Sequence, residues 1–238
     1  MVAPILPLRA ENIRVARGGK TLLGPLSLEI AGEGVTIVLG PNGSGKTTLL
    51  RALHGLERLR EGAVRWAVPE PLTRSQQAFV FQAPILMRRS VIDSIAYPLL
   101  LDGLRRGEAR DRAADAAEAV GLGARLSLQA MDLSGGEKQK LAIARALVRQ
   151  PQILFLDEPC ANLDGRATRE IEAILAKVRE QGTRIVMSTH NVGQARRMAD
   201  EAVFLVEGRL VDGGPAAEFF ANPNTPEARA HLQGDLLP

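Results

Sequence analysis

Cysteine, aromatic side chains and long apolar runs are scarce in this 238-residue chain, and each shortage removes a class of protein. The single cysteine, Cys160, has no partner for an internal disulfide and fits a reducing cytosol. Trp66, Tyr97 and six phenylalanines are the whole aromatic complement, too few for the stacking platforms that hold single-stranded nucleic acid. Charge of one sign is lacking as well. Lys plus Arg number 30 against 27 Asp plus Glu, and the resulting +3 is too slight to argue for a nucleic-acid partner. No apolar run approaches the length that crosses a bilayer. Met1 to Leu8 is short and proline-broken, without the basic start and long apolar core of a signal peptide. The expectation is a soluble chain, or one attached to a membrane through a partner. No internal repeat or low-complexity segment is evident, and 45% hydrophobic residues suffice for a sizeable core.

What is present is glycine, concentrated where it does chemical work. Gly40-Pro41-Asn42-Gly43-Ser44-Gly45-Lys46-Thr47-Thr48 follows the apolar run Val35–Leu39 and precedes the apolar-periodic Leu49–Leu53. Strand, glycine-rich loop and helix in that order are the context of a phosphate-binding loop. Glycines let backbone N–H groups turn inward around a polyphosphate, and the following helix adds the positive end of its dipole. Lys46 can reach the β- and γ-phosphates, and the Thr47 hydroxyl can ligate Mg²⁺. A glycine-rich turn could match this pattern by accident, and the strand and helix flanks weigh against that.

Along the chain, residues 8–30 read as an antiparallel patch: alternation at 12–16, a Gly18-Gly19 turn, and alternation again at 26–30. The all-apolar run 35–39 predicts a buried parallel strand, followed by a helix over about 45–57. Ala63–Trp66 is a weak strand, Pro69 and Pro71 interrupt the residues after it, and Gln77–Phe81 is a strand ending at Gln82. From about 90 to 149 helix signals dominate. Ser90 can cap a helix over 91–101 that Asp102-Gly103 ends, and Glu108–Val120 is closed by Gly121 and Gly123. Strands at 153–156, 184–188 and 202–206 then alternate with helices at 166–180 and 191–200. Glu207-Gly208 predicts a hairpin into 209–211, and Pro215 and Pro226 each start a short helix. This alternation implies a mostly parallel sheet with helices on both faces.

Two further stretches carry chemistry. Ile153–Leu156 runs into Asp157-Glu158, so a buried strand ends in two carboxylates. In a P-loop fold such a strand is expected beside the loop strand, with Asp157 holding Mg²⁺ and Glu158 polarising the water that attacks the γ-phosphate. Alone, the pair could equally be an acidic helix start. Leu133-Ser134-Gly135-Gly136-Glu137 opens a helix, with Ser134 and Glu137 forming a capping box. Two glycines behind a cap cost up to ~1 kcal/mol each in helix stability. Their use would be to let backbone N–H groups approach an anion, which makes a second phosphate-binding surface in one chain.

The loop 40–48, Gln82, Leu133–Glu137, Asp157-Glu158, Asn162-Leu163-Asp164 and His190 stand in the order of the ATP-binding-cassette ATPases, which the chain resembles over roughly residues 8–222. The resemblance implies an α/β P-loop NTPase fold (ABC ATPase) with a mostly parallel sheet core, an N-terminal antiparallel β subdomain and a helical subdomain. It implies one domain over 5–238, with the helical part about 83–150 inserted. It also implies a head-to-tail homodimer sandwiching two ATP molecules with Mg²⁺. One protomer's loop 40–48 would grip a γ-phosphate together with Ser134, Gly135, Gly136, Glu137 and Asp164 of its partner. Gln82 resembles the glutamine that senses Mg²⁺ and the attacking water, and His190 the switch histidine. Asp164 resembles the dimer-spanning aspartate and can also cap helix 166–180. Where the family has an adenine-stacking aromatic this chain has Ala16-Arg17-Gly18, so Arg17 is expected to stack on the base, and Arg17→Ala to raise the KM for ATP.

With no membrane span, transport would need separate integral permease subunits and, indirectly, an extracytoplasmic solute-binding protein, with this chain peripheral on the cytoplasmic face of the inner membrane. Ala83–Val91, apolar with two arginines, suits a permease groove or equally core plus a solvated turn. Arg88–Val91, the compact helical insert, Phe219–Pro223 and Gln233–Leu237 look most like oxyanion importers, tungstate first and phosphate next. Molybdate or amino-acid import, or a non-transport ATPase remodelling a soluble assembly, are the alternatives.

Overall fold

The computed structural model describes residues 3–235; Leu236 and Leu237, which belong to the C-terminal oxyanion-importer resemblance, lie outside them. Two sheets share the chain. Strands β1 (Leu8–Arg17), β2 (Lys20–Ile30) and β4 (Glu61–Arg65) form an antiparallel sheet in the order β2-β1-β4. The second sheet has the order β5-β6-β7-β3-β8-β9, built from β3 (Val35–Leu39), β5 (Gln77–Val80), β6 (Ile153–Asp157), β7 (Arg184–Ser188), β8 (Glu201–Val206) and β9 (Arg209–Pro215). Its first five strands are parallel, and β9 returns antiparallel on β8 through the Glu207-Gly208 turn.

Strand alternation explains how the layers pack. Along β3, Ile37 and Leu39 face one core while Val38 faces the other; along β6, Leu154 and Leu156 oppose Ile153 and Phe155. The first core takes in α3 (Val91–Leu101), α4 (Arg106–Ala119), α5 (Gly135–Leu147) and α6 (Gly165–Glu180). The second is closed by α1 (Lys46–His54) and the antiparallel sheet, whose Leu8, Ile13, Val15 and Leu23 are buried on it. One face of the parallel sheet is therefore covered by helix α1 plus a β-layer, where the alternation rule predicted helices alone.

Two expectations are corrected. Strand β6, which carries Asp157-Glu158, does not lie beside the loop strand: β7 is hydrogen-bonded between them. Adjacency is the simplest expectation for two strands that end at the same site, but a parallel sheet aligns all its C-terminal ends, so a strand two places away still reaches it. The proline pair does not only interrupt. Pro71 sits in the first turn of a short helix, α2 (Glu70–Thr73), where its missing N–H has no intrahelical partner to lose. The remaining elements are α7 (Val192–Met198), α8 (Ala216–Ala221) and α9 (Pro226–Gln233). Ser90 caps α3 and Asp102 ends it, as the sequence indicated.

Candidate functional site

The loop after β3 ends in a helix with a bare N-terminus. Gly45, left-handed at φ 98°, precedes α1, and neither a capping side chain nor an acidic residue occupies the first turn. The orphan N–H groups of that turn are thus left for an external anion. The loop backbone is compressed against its neighbours: a Cβ at Gly40 would lie 2.2 Å from the Leu205 carbonyl oxygen and 2.5 Å from Ser44 Oγ. At Gly43 a Cβ would meet nothing within 4 Å, because that glycine faces open space. Ser44 Oγ is buried without a hydrogen-bond partner, an orphan that a phosphate oxygen would satisfy.

Lys46 Nζ is held over this loop. It donates to the carbonyls of Gly40 (2.9 Å) and Pro41 (3.1 Å) and lies 3.5 Å from Glu158 Oε1. The other Glu158 oxygen is 2.9 Å from His190 Nδ1. Glu158 therefore stands between a buried ammonium and an imidazole, and its backbone is held at φ 43°, in a region non-glycine residues rarely occupy. Ser188 fixes it there. The Ser188 hydroxyl accepts from Glu158 N–H (3.0 Å) and donates to Asp157 Oδ1 (2.8 Å), which also accepts from Thr47 Oγ1 (2.9 Å). Thr47 and Asp157, 110 positions apart, thus meet on the floor of the site. Two hard oxygen ligands of this kind fit Mg²⁺.

These groups open on a cavity of about 760 Å³ lined by Asn42–Thr48, Gln82, Glu158, Thr189 and His190, with Leu22 and Leu163 among the apolar contacts. Arg17 is not on its wall. Its guanidinium turns to Glu57, 3.2 Å away, beyond the end of α1. The residue of β2 that does face the cavity is Leu22, five positions on from Arg17. Reasoning by distance from the loop missed it, because the Gly18-Gly19 turn reverses the chain between the two.

A second cavity, about 660 Å³, is lined by Ser134, Gly135, Gly136, Glu137, Lys140, Asp164, Arg166, Ala167 and Glu170, with Gly121 at its edge. Ser134 and Glu137 form the expected capping box, and the Ser134 backbone and hydroxyl hold the Glu137 carboxyl below its ordinary pKa. Asp164 caps α6 through the Ala167 N–H at 2.7 Å. Asn162 and Leu163 line both cavities, so the loop 160–164 separates them. Sequence reasoning missed Ser188 and Cys160. Ser188 could have been found as the parallel-register neighbour of Asp157. Cys160 lines the first cavity, and its burial raises the thiol pKa.

A glycine-lined anion cradle, a threonine–aspartate pair and a carboxylate at one strand end define a nucleoside-triphosphate-hydrolysing P-loop protein. The ABC transporter family profile matches residues 23–161, and the chain belongs to that family: it is an ATP-binding subunit whose hydrolysis is coupled to transport. The chain is 36% identical to a tungstate uptake system ATP-binding protein of Peptoclostridium acidaminophilum, across 90% of this chain and 100% of that one. It is 32% identical to a probable anion import ATP-binding protein of Haloferax volcanii, across 97% and 88%. An L-cystine transport ATP-binding protein of Escherichia coli is 34% identical, across 97% and 98%. Among solved structures, cbiO1 of Clostridium perfringens, part of the ABC transporter complex cbiONQ, superposes with a TM-score of 0.82 at 27% identity, covering 97% of this chain and 96% of that one.

Proposed function

We propose that the chain is the ATPase of an oxyanion importer, with tungstate as the favoured cargo, working as a head-to-tail homodimer. The observation that carries the dimer is the division of labour between two cavities. The first gathers Lys46, Glu158 and His190 around the glycine loop, while the second sets two capped helix N-termini and Gly135-Gly136 beside Lys140, Arg166 and Glu170, with no imidazole among the described residues that line it. A γ-phosphate held between one protomer's first cavity and its partner's second would complete both. The tungstate assignment rests on the relative matched over its whole length, supported by the anion-import relative.

In this reading Lys46 leaves the Gly40 and Pro41 carbonyls for the β- and γ-phosphates, which frees Glu158 Oε1. Glu158 then accepts a proton from the attacking water, while His190 on its other oxygen holds the carboxylate in place. Thr47, Asp157 and Gln82 would hold Mg²⁺, which when bound neutralises charge on the phosphate oxygens. Closure of the dimer on ATP and reopening after phosphate release would drive the transporter.

No helix among the described residues is long and apolar enough to cross a membrane, so integral permease subunits would supply the path. The chain would then lie peripherally on the cytoplasmic face of the membrane, and meet a solute-binding protein only through the permease. The segment 83–91 suits the contact: Ile85 is exposed, and Arg88 and Arg89 line a third cavity with Asp93 and Arg106. The test is tungsten and molybdenum content of cells lacking the protein, complemented by wild type or Glu158→Gln at trace external oxyanion. Tungsten uptake restored by wild type alone supports the reading. Uptake of both metals unchanged by the deletion removes the cargo.

A further inference from the structure

Lys140 is unusual for a lysine. It is only 13% exposed, on the wall of the second cavity, and its Nζ lies 2.6 Å from Glu170 Oε2. The other Glu170 oxygen takes Arg166 Nε at 2.9 Å. Together the two cations keep the Glu170 carboxyl below its ordinary pKa, Lys140 contributing most. The pair joins α5 to α6, which carry the two capped N-termini of that cavity. One turn earlier the same helices touch at Gly136 and Ala167, where a Cβ on Gly136 would lie 3.0 Å from that of Ala167. Positions 136 and 140 are one turn apart on α5, and 167 and 170 one turn apart on α6. The helices are thus pinned at two successive levels and run the same way from adjacent N-termini. Their positive dipole ends face the same space.

We infer that the Lys140–Glu170 pair is a positioning element that presents Ser134–Gly136 and Asp164 as one rigid face toward the nucleotide of a partner protomer. The inference rests on the dimer reading under Proposed function. The Lys140 ammonium is spent on Glu170 rather than on the glycine loop or a catalytic group, so it acts through the helix alignment. Removing it loosens the receiving face of the dimer and leaves each protomer's own loop 40–48 untouched. Losing one partner of such a pair also leaves the other charge poorly compensated, so the charge-swapped double variant is the control that separates alignment from charge.

The experiment uses the full chain in a Glu158→Gln background and reads two quantities: the Kd of a fluorescent ATP analogue on the protomer, and ATP-dependent dimerisation by sedimentation. Lys140→Ala and the milder Glu170→Gln are expected to leave nucleotide Kd unchanged and weaken dimerisation about tenfold, a loss equivalent to ~1.4 kcal/mol. Lys140→Glu combined with Glu170→Lys is expected to restore it. If the Glu158→Gln parent stays monomeric at saturating ATP, the dimer reading falls and this inference with it. If the parent dimerises and Lys140→Ala dimerises equally well, the inference alone is overturned. It is overturned too if the swap fails to rescue while Glu170→Gln is harmless, because Lys140 would then act as a direct phosphate ligand.

Discussion

The two glycine-edged cavities of this chain are built by opposite rules. In the first, helix α1 starts bare and is preceded by three glycines with positive φ, so its N–H groups are left for a ligand. Glu158, after β6, and His190, after β7, line the same cavity. In the second, α5 and α6 start with side-chain caps, Ser134 with Glu137 and Asp164, and a carboxylate already occupies each first turn or cap. Capping satisfies the donors of an isolated helix. The N-termini facing the second cavity therefore have partners within the chain, and its charged lining, Lys140 and Arg166, is paired with Glu170. In the proposed reading the first binds and reacts, and the second receives the partner's nucleotide. Asn162 and Leu163 form a wall common to both.

The sharpest way to break this contrast is at Glu158. Glu158→Gln keeps the size and the contact with His190 but removes the proposed base. Turnover should fall about 10³-fold, the scale of general-base loss, with ATP Kd nearly unchanged. Single-turnover hydrolysis beside equilibrium binding would check this, and a tenfold fall or less would return the base role to another group.

The next effect separates the two halves by pH. His54, at the far end of α1 from Lys46, packs edge-on against Phe79 and Phe155, and burial pushes its pKa down to about 4 from an ordinary 6.5. The folded pKa lies below the unfolded one, so the unfolded chain takes up the extra proton as pH falls. This contribution to stability is complete above pH 6.5 and is lost progressively toward pH 4, by up to ~3 kcal/mol. His231, also shifted down by burial and by Lys46, acts in the same direction. Hydrogen exchange should show α1 losing protection between pH 6.5 and 4 before α5 does, and His54→Phe should flatten that difference. Equal loss in both helices would remove the contrast.

Smaller still, Ser134→Ala removes the α5 cap. It should cost about 1 kcal/mol in thermal or denaturant unfolding, lower ATPase activity, and leave nucleotide affinity of the protomer alone. A raised Kd would place Ser134 in the same protomer's binding site. Arg17→Ala should do least. The Arg17–Glu57 pair is exposed on the arginine side, and such pairs contribute ~0–1 kcal/mol. The KM for ATP should be unchanged, against the expectation drawn from the sequence, and a severalfold rise would bring Arg17 back to the base.

The placement of Arg17 shows what the sequence made legible. The loop 40–48 and the Ser134–Glu137 box are local devices, set by residues within one turn of each other, and both formed as read. Asp157 meets Thr47 although its strand lies one place farther from the loop strand than the sequence reading puts it, because the shared C-terminal edge of a parallel sheet matters more than adjacency. Contacts through chain reversal were not legible. Arg17 and Leu22 straddle the turn that decides which of them reaches the cavity. Ser188 becomes a keystone only through its register with Asp157, and Lys140 and Glu170 meet only because Gly136 lets two helices close.

The most direct test of a shared site uses two versions of the chain, each carrying Cys160→Ser. One bears Asn42→Cys and the other Ser134→Cys. Mixed with ATP and mildly oxidised, they should form a disulfide between unlike chains, and far less without nucleotide. Neither version alone should cross-link. A mixture that remains uncross-linked at saturating ATP, or cross-links between like chains, would contradict the head-to-tail account.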